Sequence, residues 1–306
     1  MNADLLRRAA GLRVHSRNGT RAPHKPLLLL LAIRRVQQDE QGAAAWDWWS
    51  RELGPLLVEY APNTARPRPE YPFRRLVEDG LWVIEDLDAL PDEAFVSGNA
   101  TVRDLRSAWL ADHNPTAGLP RDYESELLGS QEITEALIRL LLHRHFPPTL
   151  WQDVLDDTGV QHDLSRIISI PDEVLSFLPD DRRMRSASFA AEVMAEDGGR
   201  CVLCGFDGRE QSPIRARPVG LDAAHVRWWN AEGSDTAGNG LAMCALHHRL
   251  FDRGMFGFDP TDRRVRTSPR FTSTTGWASM DHAVVVPERI ARENLVWQIT
   301  NVFKAA

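Results

Sequence analysis

Cys201-Val-Leu-Cys204 and Cys244-Ala-Leu-His247 are the two ends of the stretch that decides the fold of this chain. Two cysteines separated by two residues can bind one tetrahedral ion from a tight turn, and a Cys-x-x-His pair at the start of a helix supplies the other two ligands. All three cysteines of the 306-residue chain lie in this pattern. The spacing therefore predicts a structural Zn²⁺ site with these four ligands, and the alternative is three buried thiols beside a surface histidine.

Three further motifs lie within this stretch or directly after it. They are Leu-Asp-Ala-Ala-His-Val at 221–226, Asn-Gly-Leu at 239–241 and His-His-Arg-Leu-Phe-Asp at 247–252. Together with the cysteine pairs they resemble the HNH nucleases, and the resemblance covers residues 185–260. It implies a zinc-stabilised ββα-metal fold, with strands near 221–227 and 239–243 and a helix that begins at about 244.

The HNH resemblance also assigns roles to three of these side chains. His225 is expected to be the general base, because neutral imidazole can take a proton from water near neutral pH. His248 is expected to bind a catalytic Mg²⁺ or Mn²⁺ ion, which would stabilise charge on the phosphoryl oxygens. Asn239 is expected to orient His225 or to join the metal ligands, and the alternative for Asn239-Gly240 is a plain hairpin turn. Adjacent helical residues point about 100° apart, so His247 and His248 can serve two different metals.

A second ligand for the catalytic ion is less directly indicated. HNH nucleases usually carry a metal ligand immediately before the base, but this chain has Ala224 there. Asp222 is the candidate that replaces it. Since side chains alternate along a strand, Asp222 and His225 can serve one site only if the strand bends or ends between them. A zinc module that binds without cutting remains the alternative for the whole stretch.

The rest of the chain predicts an α+β protein with two domains. Residues 1–150 are expected to be mostly helical, with helices near 3–12, 26–40, 46–60, 101–112 and 122–146 and a strand at 81–85. Residues 151–181 are acidic, contain two prolines and are predicted to be a linker. The C-terminal domain then spans 182–306, with a helix at 182–196 before the zinc site.

Charge is distributed unevenly along the chain, whose net charge is −7. No acidic residue lies between Leu5 and Gln38, where eight lysines and arginines occur, whereas Glu78 to Glu93 carries seven acids and no base. Acidic stretches are repelled by phosphates, so a DNA-binding face would be built from the basic stretches. With every cysteine assigned to zinc, none is left for a disulfide, and a cytoplasmic location is expected.

Two motifs of the N-terminal half resemble a second family. Arg-Ala-Pro-His-Lys-Pro-Leu-Leu-Leu-Leu at 21–30 and Glu-Tyr-Pro-Phe-Arg-Arg-Leu at 70–76, followed by Gly-Leu-Trp at 80–82, are similar to the sulfur-binding domain of phosphorothioate-dependent, McrA-type restriction endonucleases. The resemblance covers residues 1–150. In that family the domain precedes an HNH module and recognises DNA in which sulfur replaces a non-bridging phosphate oxygen.

This second resemblance implies a sulfur-binding surface. Sulfur is larger and more weakly hydrated than oxygen, so an apolar cup formed by Tyr71 and Pro72 would favour it. The remaining phosphate charge and the neighbouring bases need hydrogen-bond donors. The candidate donors are Arg21, His24, Lys25, Arg74, Arg75 and Asn99. The alternatives are that residues 24–26 only begin a helix and that residues 71–73 form an ordinary hydrophobic turn.

The two resemblances together predict a modification-dependent restriction endonuclease. Its expected partner is double-stranded DNA carrying a backbone phosphorothioate, and a possible homodimer would allow both strands to be cut. The alternatives are an HNH enzyme that reads another mark, such as methylated cytosine, and a DNA-binding regulator whose zinc module does not cut.

Overall fold

The computed structural model describes most of the chain. The described residues are 3–12, 16–17, 20–21, 23–38, 42–61, 66–97, 102–170, 188–211, 216–273 and 284–305. The chain divides into two compact units. Unit 1 comprises Met1–Ser16, Arg21–Phe146 and Trp151–Arg182, and unit 2 comprises Arg17–Thr20, Pro147–Leu150 and Arg183–Ala306.

Unit 1 is mainly helical, as its sequence predicts. Its helices are α1 (Ala3–Ala10), α2 (His24–Gln37), α3 (Trp46–Tyr60), α4 (Glu70–Arg75), α5 (Ser107–His113), α6 (Arg121–Gly129), α7 (Gln131–His145), α8 (Trp151–Thr158) and α9 (Leu164–Ser169). The short strands Ser16–Arg17 (β1) and Thr20–Arg21 (β2) pair with each other, and β3 (Ala44–Ala45), β4 (Val83–Ile84) and β5 (Thr116–Gly118) form a sheet in the order β3-β5-β4.

Helix α2 is the central helix of unit 1. Residues 27–33 of this helix are all buried, because α2 packs against α3, α4, α6, α7 and α8 and is covered on every side. A helix that is apolar all round requires such an environment. Pro26 lies in the first turn, where a missing N–H leaves no hydrogen bond unmade. In the described part of the chain, no helix combines the length and apolar character that crossing a membrane requires.

Aromatic side chains join α3 and α4 to the sheet. The ring of Trp49 lies edge-on to that of Trp82, with centroids 4.8 Å apart, and Trp46 contacts Phe73 in the same way at 4.9 Å. The indole N–H of Trp49 donates to the carbonyl oxygens of Ala44 and Ala117, at 3.0 Å each. Such edge-to-face pairs each contribute about 0.5–1.5 kcal/mol beyond the burial of their area.

Residues 151–169 differ from the predicted acidic linker. They form α8 and α9, whose apolar residues Val154, Leu155 and Ile167 are buried in unit 1. Asp156, Asp157 and Asp163 are exposed, and Asp157 accepts a hydrogen bond from Tyr60, whereas Asp153 is half-buried. The charge pattern was misleading because it reported the solvent face of two amphipathic helices. Residues 171–187 lie outside the described residues.

Two other boundaries in unit 1 differ from the sequence prediction. The helix predicted over 122–146 is divided into α6 and α7 at Ser130, whose hydroxyl accepts from the N–H of Ile133 at 3.3 Å and caps α7. Such a hydroxyl cap begins a new helix rather than continuing an old one. The helix predicted over 101–112 begins only at Ser107.

Unit 2 contains the predicted ββα arrangement. Its elements are α10 (Phe189–Glu196), β6 (Arg209–Gln211), β7 (Ala216–Pro218), β8 (Leu221–His225), β9 (Gly240–Cys244), α11 (Ala245–Asp252), β10 (Phe256–Phe258), β11 (Val265–Thr267) and α12 (Arg292–Asn301). Three two-stranded antiparallel ribbons are formed, by β6 with β7, β8 with β9, and β10 with β11. The sequence prediction of two strands followed by a helix is confirmed, and so is the α+β class.

The β8–β9 ribbon packs against a helix on each face. On one face, Ala224 and Leu241 belong to a core that also contains Phe251 of α11, and on the other, Ala223 and Ala242 pack against Phe189 and Val193 of α10. The register runs without interruption from Leu221 opposite Cys244 to His225 opposite Gly240. Because side chains alternate along an unbroken strand, Asp222 points to the α11 side and His225 to the α10 side.

Candidate metal centres and nucleic-acid interface

The four predicted zinc ligands converge in unit 2. The ligand atoms of Cys201, Cys204, Cys244 and His247 all lie within 4.8 Å of one another. The sulfur atoms of Cys204 and Cys244 are 4.0 Å apart, and Nδ1 of His247 lies 3.1 Å from Cys244 Sγ and 3.5 Å from Cys201 Sγ. Tetrahedral bonds of about 2.0–2.3 Å place ligand atoms roughly 3.5–3.8 Å apart. The donor set and its spacing therefore fit a tetrahedral metal ion such as Zn²⁺.

Local backbone structure explains why these four side chains meet. Cys201 and Cys204 lie on one turn, which is closed by the Gly205 N–H donating to the Cys201 carbonyl at 2.8 Å. Gly205 has a φ of 72°, a conformation that strongly favours glycine. The other pair lies at the junction of β9 with α11: Cys244 caps the helix, and His247 is on its first turn.

The Cys201 sulfur has the electrostatic surroundings of a metal ligand. Burial disfavours its thiolate, but hydrogen bonds from the His247 ring and from backbone N–H groups outweigh burial and lower the pKa of Cys201 to about 6. A thiol must lose its proton to bind a metal. Cys201 is therefore the thiol that most readily takes the form that Zn²⁺ requires, whereas burial raises the pKa of Cys204 to about 12 and also raises that of Cys244.

His248 faces a different set of groups from its neighbour His247. Its Nδ1 lies 3.2 Å from Oδ2 of Asp222, and its Nε2 lies 3.3 Å from Oδ2 of Asp252. Burial opposes protonation of this ring, but the two carboxylates outweigh burial and raise the pKa of His248 to about 10. Asp222 is half exposed, whereas Asp252 is buried. The ring is thus held between an inner and an outer carboxylate.

Asp252 fixes the orientation of His248. Besides the histidine, its carboxylate accepts hydrogen bonds from the indole N–H of Trp228 at 2.9 Å and from the hydroxyl of Thr149. A carboxylate on one ring nitrogen directs the other nitrogen at a metal in many metalloenzymes. The Asp222 and His248 atoms, 3.2 Å apart, fit neighbouring positions on an octahedral Mg²⁺ or Mn²⁺, where ligands about 2.1 Å from the ion lie roughly 3 Å apart.

His225 ends β8 and is held by two contacts. Its Nε2 lies 2.7 Å from Oδ1 of Asp235, and its ring stacks on that of Phe189, with centroids 4.1 Å apart and planes 16° apart. The side chain keeps 15% of its surface exposed. His225 is therefore oriented by a carboxylate on one edge and by an aromatic ring on one face, without being sealed from solvent.

Asn239 does not orient His225 through its side-chain amide, in contrast to one expectation from the sequence. The buried amide accepts from the Arg227 N–H at 2.8 Å and donates to the carbonyls of Arg227 and Ser234 at 2.9 and 3.0 Å. Both ends of the amide are thereby used to close the loop between β8 and β9. Asn239 precedes Gly240 at the start of β9, so the turn expected there is also part of its role.

The two N-terminal motifs are brought together in unit 1. His24 and Lys25 begin α2, which packs against α4, and the Lys25 ammonium lies 2.5 Å from Asp79 in the turn after α4. His24 is mostly buried, and burial lowers its pKa to about 4. The ring is consequently neutral at neutral pH.

Tyr71 and Pro72 differ in their accessibility. Pro72 is buried within unit 1, whereas Tyr71 is half-buried on the surface of α4. The Arg68 guanidinium lies over the Tyr71 ring at 4.9 Å and donates to its hydroxyl at 2.9 Å. Of the two residues predicted to form the apolar cup, Tyr71 is therefore the one with a substantial exposed face.

The predicted phosphate donors of α4 are already paired with acidic side chains. Arg75 forms a bidentate pair with Asp104, with nitrogen to oxygen distances of 2.7 and 2.8 Å, and Arg74 lies 2.8 Å from Glu78. The side chain of Arg75 is 44% exposed and that of Arg74 only 11%. Arg75 is therefore the more accessible of the two. Arg21 lies on β2, but its side chain, like the whole of Asn99, lies outside the described residues.

Sequence reasoning missed two carboxylates of the HNH module. Asp252 had a readable signal, because it lies four residues after His248 and the two therefore share one helix face. Asp235 had none beyond its position in a polar loop between His225 and Asn239. A loop carboxylate reaches its partner through the path of the chain, which no periodic pattern encodes.

Comparisons with known proteins agree with this geometry. An HNH endonuclease model matches residues 201–259, so unit 2 carries an HNH endonuclease domain and the protein is a nuclease. A second model, described as the ScoMcrA-like DNA sulfur-binding domain, matches residues 2–163. Because this match covers more than half of the 306 residues, the chain belongs to the family of ScoMcrA-like DNA sulfur-binding domain proteins.

Solved structures similar to the chain include three of this family. The sulfur-binding domain of ScoMcrA complexed with phosphorothioated DNA is 24% identical (TM-score 0.44; 54% of this chain and 98% of that chain covered). The corresponding SprMcrA domain complex is 29% identical (TM-score 0.43; 52% and 94%). The type IV phosphorothioation-dependent restriction endonuclease ScoMcrA is 24% identical (TM-score 0.40; 49% and 27%). No curated protein matches the chain.

Proposed function

We propose that this protein is a modification-dependent restriction endonuclease that recognises phosphorothioated DNA through residues 1–150 and hydrolyses a nearby phosphodiester bond through residues 182–306. The observation that carries the proposal is the presence, in one chain, of a ScoMcrA-like sulfur-binding domain and an HNH endonuclease domain. Because α8 and α9 also belong to unit 1, we extend the DNA-recognising domain from residues 1–150 to Ser169.

His225 is proposed to be the general base. The tautomer that donates Nε2–H to Asp235 leaves the basic lone pair on Nδ1, which can take a proton from water as it attacks phosphorus. The negative charge of Asp235 stabilises the imidazolium that forms. Stacking on Phe189 limits rotation of the His225 ring and so keeps Nδ1 pointing in one direction.

Two metal sites with separate tasks are proposed in unit 2. Zn²⁺, held by Cys201, Cys204, Cys244 and His247, would fix the position of α11 relative to the β8–β9 ribbon. Asp222 and His248 would hold Mg²⁺ or Mn²⁺, which would supply charge stabilisation for the phosphoryl and leaving oxygens. Because Asp222 and His225 point to opposite sides of β8, which does not bend between them, the two can act on one phosphate only at the end of the strand, where β8 stops at His225. Asp252 keeps the ring of His248 directed toward Asp222, and the ion must displace the proton that the two carboxylates favour on this ring.

The sulfur-binding surface is proposed around the start of α2 and the exposed side of α4. The Tyr71 ring provides apolar area that suits a weakly hydrated sulfur better than a charged oxygen. His24, Lys25, Arg74 and Arg75, together with Arg21 and Asn99, would contact the phosphate and the neighbouring bases. Because Lys25 and Arg75 are paired with Asp79 and Asp104, DNA phosphates must compete with carboxylates for these cations.

One experiment tests the proposal and its alternatives. The purified protein is incubated with matched plain, cytosine-methylated and phosphorothioated duplexes in the presence of Mg²⁺ or Mn²⁺, and cleavage products and binding affinities are measured. Cleavage that requires phosphorothioate and metal supports the proposal. Preference for the methylated duplex would select a reader of a base mark, and binding without cleavage in either metal would select a non-cutting regulator.

A further inference from the structure

We propose that Asp235 is the positioning residue for the general base, and that Asn239 acts on His225 through Asp235 rather than directly. This inference rests on the proposed role of His225 in DNA hydrolysis. It assigns a function to a loop carboxylate outside the three motifs that define the HNH resemblance.

The first argument is the geometry of the His225–Asp235 pair. The distance from Nε2 to Oδ1 is 2.7 Å, which is a short, charge-assisted hydrogen bond, and both side chains are mostly buried, with 15% and 12% of their surfaces exposed. His225 is the last residue of β8, and its cross-strand neighbour is Gly240. Because glycine has no side chain, nothing on the neighbouring position of β9 packs against the ring. A fixed carboxylate is then what determines the tautomer and the direction of the ring.

The second argument is the way the loop that carries Asp235 is held. Both chain neighbours of Asp235 are bound by Asn239: its Nδ2 donates to the carbonyl of Ser234 at 3.0 Å, and its backbone N–H donates to the carbonyl of Thr236 at 2.9 Å. The same side chain pairs with the backbone of Arg227, two residues after the base. One buried amide therefore fixes the base and its carboxylate relative to each other.

The third argument is chemical. A carboxylate on Nε2 keeps the basic lone pair on Nδ1 and stabilises the imidazolium that forms when the ring takes the proton from water; the ring then returns this proton to solvent. Replacing Asp235 by asparagine keeps the size but removes the charge, and an amide NH₂ facing Nε2 would favour the opposite tautomer. The positioning role therefore predicts a loss of rate that is not explained by a loss of folding.

The test uses the full chain and three variants. Asp235→Asn removes the charge, Asp235→Glu keeps it, and Asp262→Asn makes the same chemical change at a surface ion pair with Arg266. Single-turnover cleavage of the phosphorothioated duplex is measured against pH, zinc content and DNA affinity are measured for each variant, and the ring nitrogens of His225 are followed by ¹⁵N NMR during a pH titration.

The expected result is a specific pattern among these measurements. Asp235→Asn should lower the cleavage rate roughly 10²- to 10⁴-fold, move the acid limb of the pH profile to lower pH, lower the NMR pKa of His225 and change its tautomer. Zinc content and DNA affinity should stay as in the wild type. Asp235→Glu should recover part of the rate, and Asp262→Asn should match the wild type.

Two outcomes would overturn the inference. One is an Asp235→Asn variant with the wild-type rate, pH profile and His225 titration. The other is an Asp235→Glu variant that folds and binds zinc but gives no more activity than the asparagine variant. If Asp235→Asn fails to fold, the glutamate variant carries the test. Failure of the proposed function is distinguished by His225→Ala: normal cleavage by that variant rejects the base, while the NMR titration still decides whether Asp235 orients the ring.

Discussion

Nδ1 of His248 lies 3.2 Å from the carboxylate of Asp222, although the two residues are 26 positions apart in the chain. The contact exists because α11 folds back over the face of the ribbon to which Asp222 points. His247, one residue earlier, is buried among the cysteine sulfurs, 3.1 Å from Cys244. Two adjacent histidines thus face two chemically different sites, one rich in sulfur and closed, the other rich in oxygen and open on the side of Asp222.

This separation predicts that the two metals can be removed independently. His247→Ala should lower the zinc content and unfold unit 2, because structural zinc supplies folding free energy directly. His248→Ala should keep zinc and the fold but abolish cleavage. Zinc content by atomic emission, thermal unfolding and cleavage in Mg²⁺ or Mn²⁺ are measured on both variants. Equal zinc loss in both would contradict the assignment of two sites.

Asn239 holds the loop between β8 and β9 through three side-chain hydrogen bonds, and its replacement should therefore lower both stability and activity. Asn239→Ala leaves the N–H of Arg227 and the carbonyls of Arg227 and Ser234 without their partner, which should destabilise unit 2 by roughly 2–4 kcal/mol. Chemical denaturation and cleavage rates check this expectation. Ser234→Ala is the matched control, because it keeps the carbonyl that Asn239 binds, and it should stay within about 0.5 kcal/mol of the wild type. A stable, active Asn239→Ala variant would show that these hydrogen bonds are not needed to hold the loop between β8 and β9.

Patterns in the sequence were sufficient where a local rule controls the structure. The spacing of Cys201, Cys204, Cys244 and His247 predicted the convergence of four ligands, because short turns place residues three apart on one ion. The adjacent residues His247 and His248 were predicted to face two different sites, because neighbouring side chains on a helix point about 100° apart. The strands that the HNH resemblance implied at 221–227 and 239–243 are observed at Leu221–His225 and Gly240–Cys244.

The sequence was insufficient where structure depends on distant parts of the chain. The acids of residues 151–169 indicated a linker, because the burial of Val154 and Ile167 against other helices of unit 1 leaves only a weak local signal. Likewise, Arg75 was expected to be a free phosphate donor, and its bidentate pairing with Asp104 joins residues 29 positions apart. The role of Asp235 depends on a loop path that no motif spacing specifies.

The buried His24 predicts a pH dependence of stability. Its folded-state pKa is lowered to about 4 from 6.5, so the unfolded chain binds the proton more strongly than the folded chain does. The contribution of His24 to the free energy of unfolding should be constant above pH 6.5. It should fall as the pH drops toward 4 and level off below that value. The full loss is on the order of 3 kcal/mol. Replacing His24 by glutamine should remove this slope from denaturation curves measured between pH 4 and 7, and an unchanged slope would contradict the burial argument.

The same residue should not contribute charge to DNA binding. Because the ring is neutral near pH 7, His24→Gln should weaken binding without changing how steeply affinity falls with salt. The logarithm of the affinity is measured against the logarithm of the salt concentration for both proteins. A slope that becomes shallower by about one unit for His24→Gln would indicate a protonated ring at a phosphate.

Arg75 and Tyr71 are expected to fail in different ways when they are changed. Arg75→Ala should weaken binding to phosphorothioated and plain duplexes alike, because a phosphate contact is lost in both. The slope of log affinity against log salt concentration should become shallower by about one. Arg74→Ala should have the smaller effect of the two, since its side chain is largely buried. Tyr71→Ala should leave the salt slope unchanged and remove the preference for sulfur. Equal losses in all three variants would indicate structural damage to α4 instead.

Asp104 provides a gain-of-binding test of the same surface. Its carboxylate accepts from Nε and from one terminal nitrogen, Nη2, of Arg75, so a phosphate that binds this edge of the guanidinium must displace it. Asp104→Asn removes the competing charge and should tighten binding to both duplexes in low salt, with the difference fading as salt screens the interaction. Asp92→Asn is a suitable control, because it breaks the exposed pair with Arg103 and leaves Arg75 as it is. Weaker binding by Asp104→Asn would mean that Asp104 orients Arg75 toward DNA, and the competition argument would then be wrong.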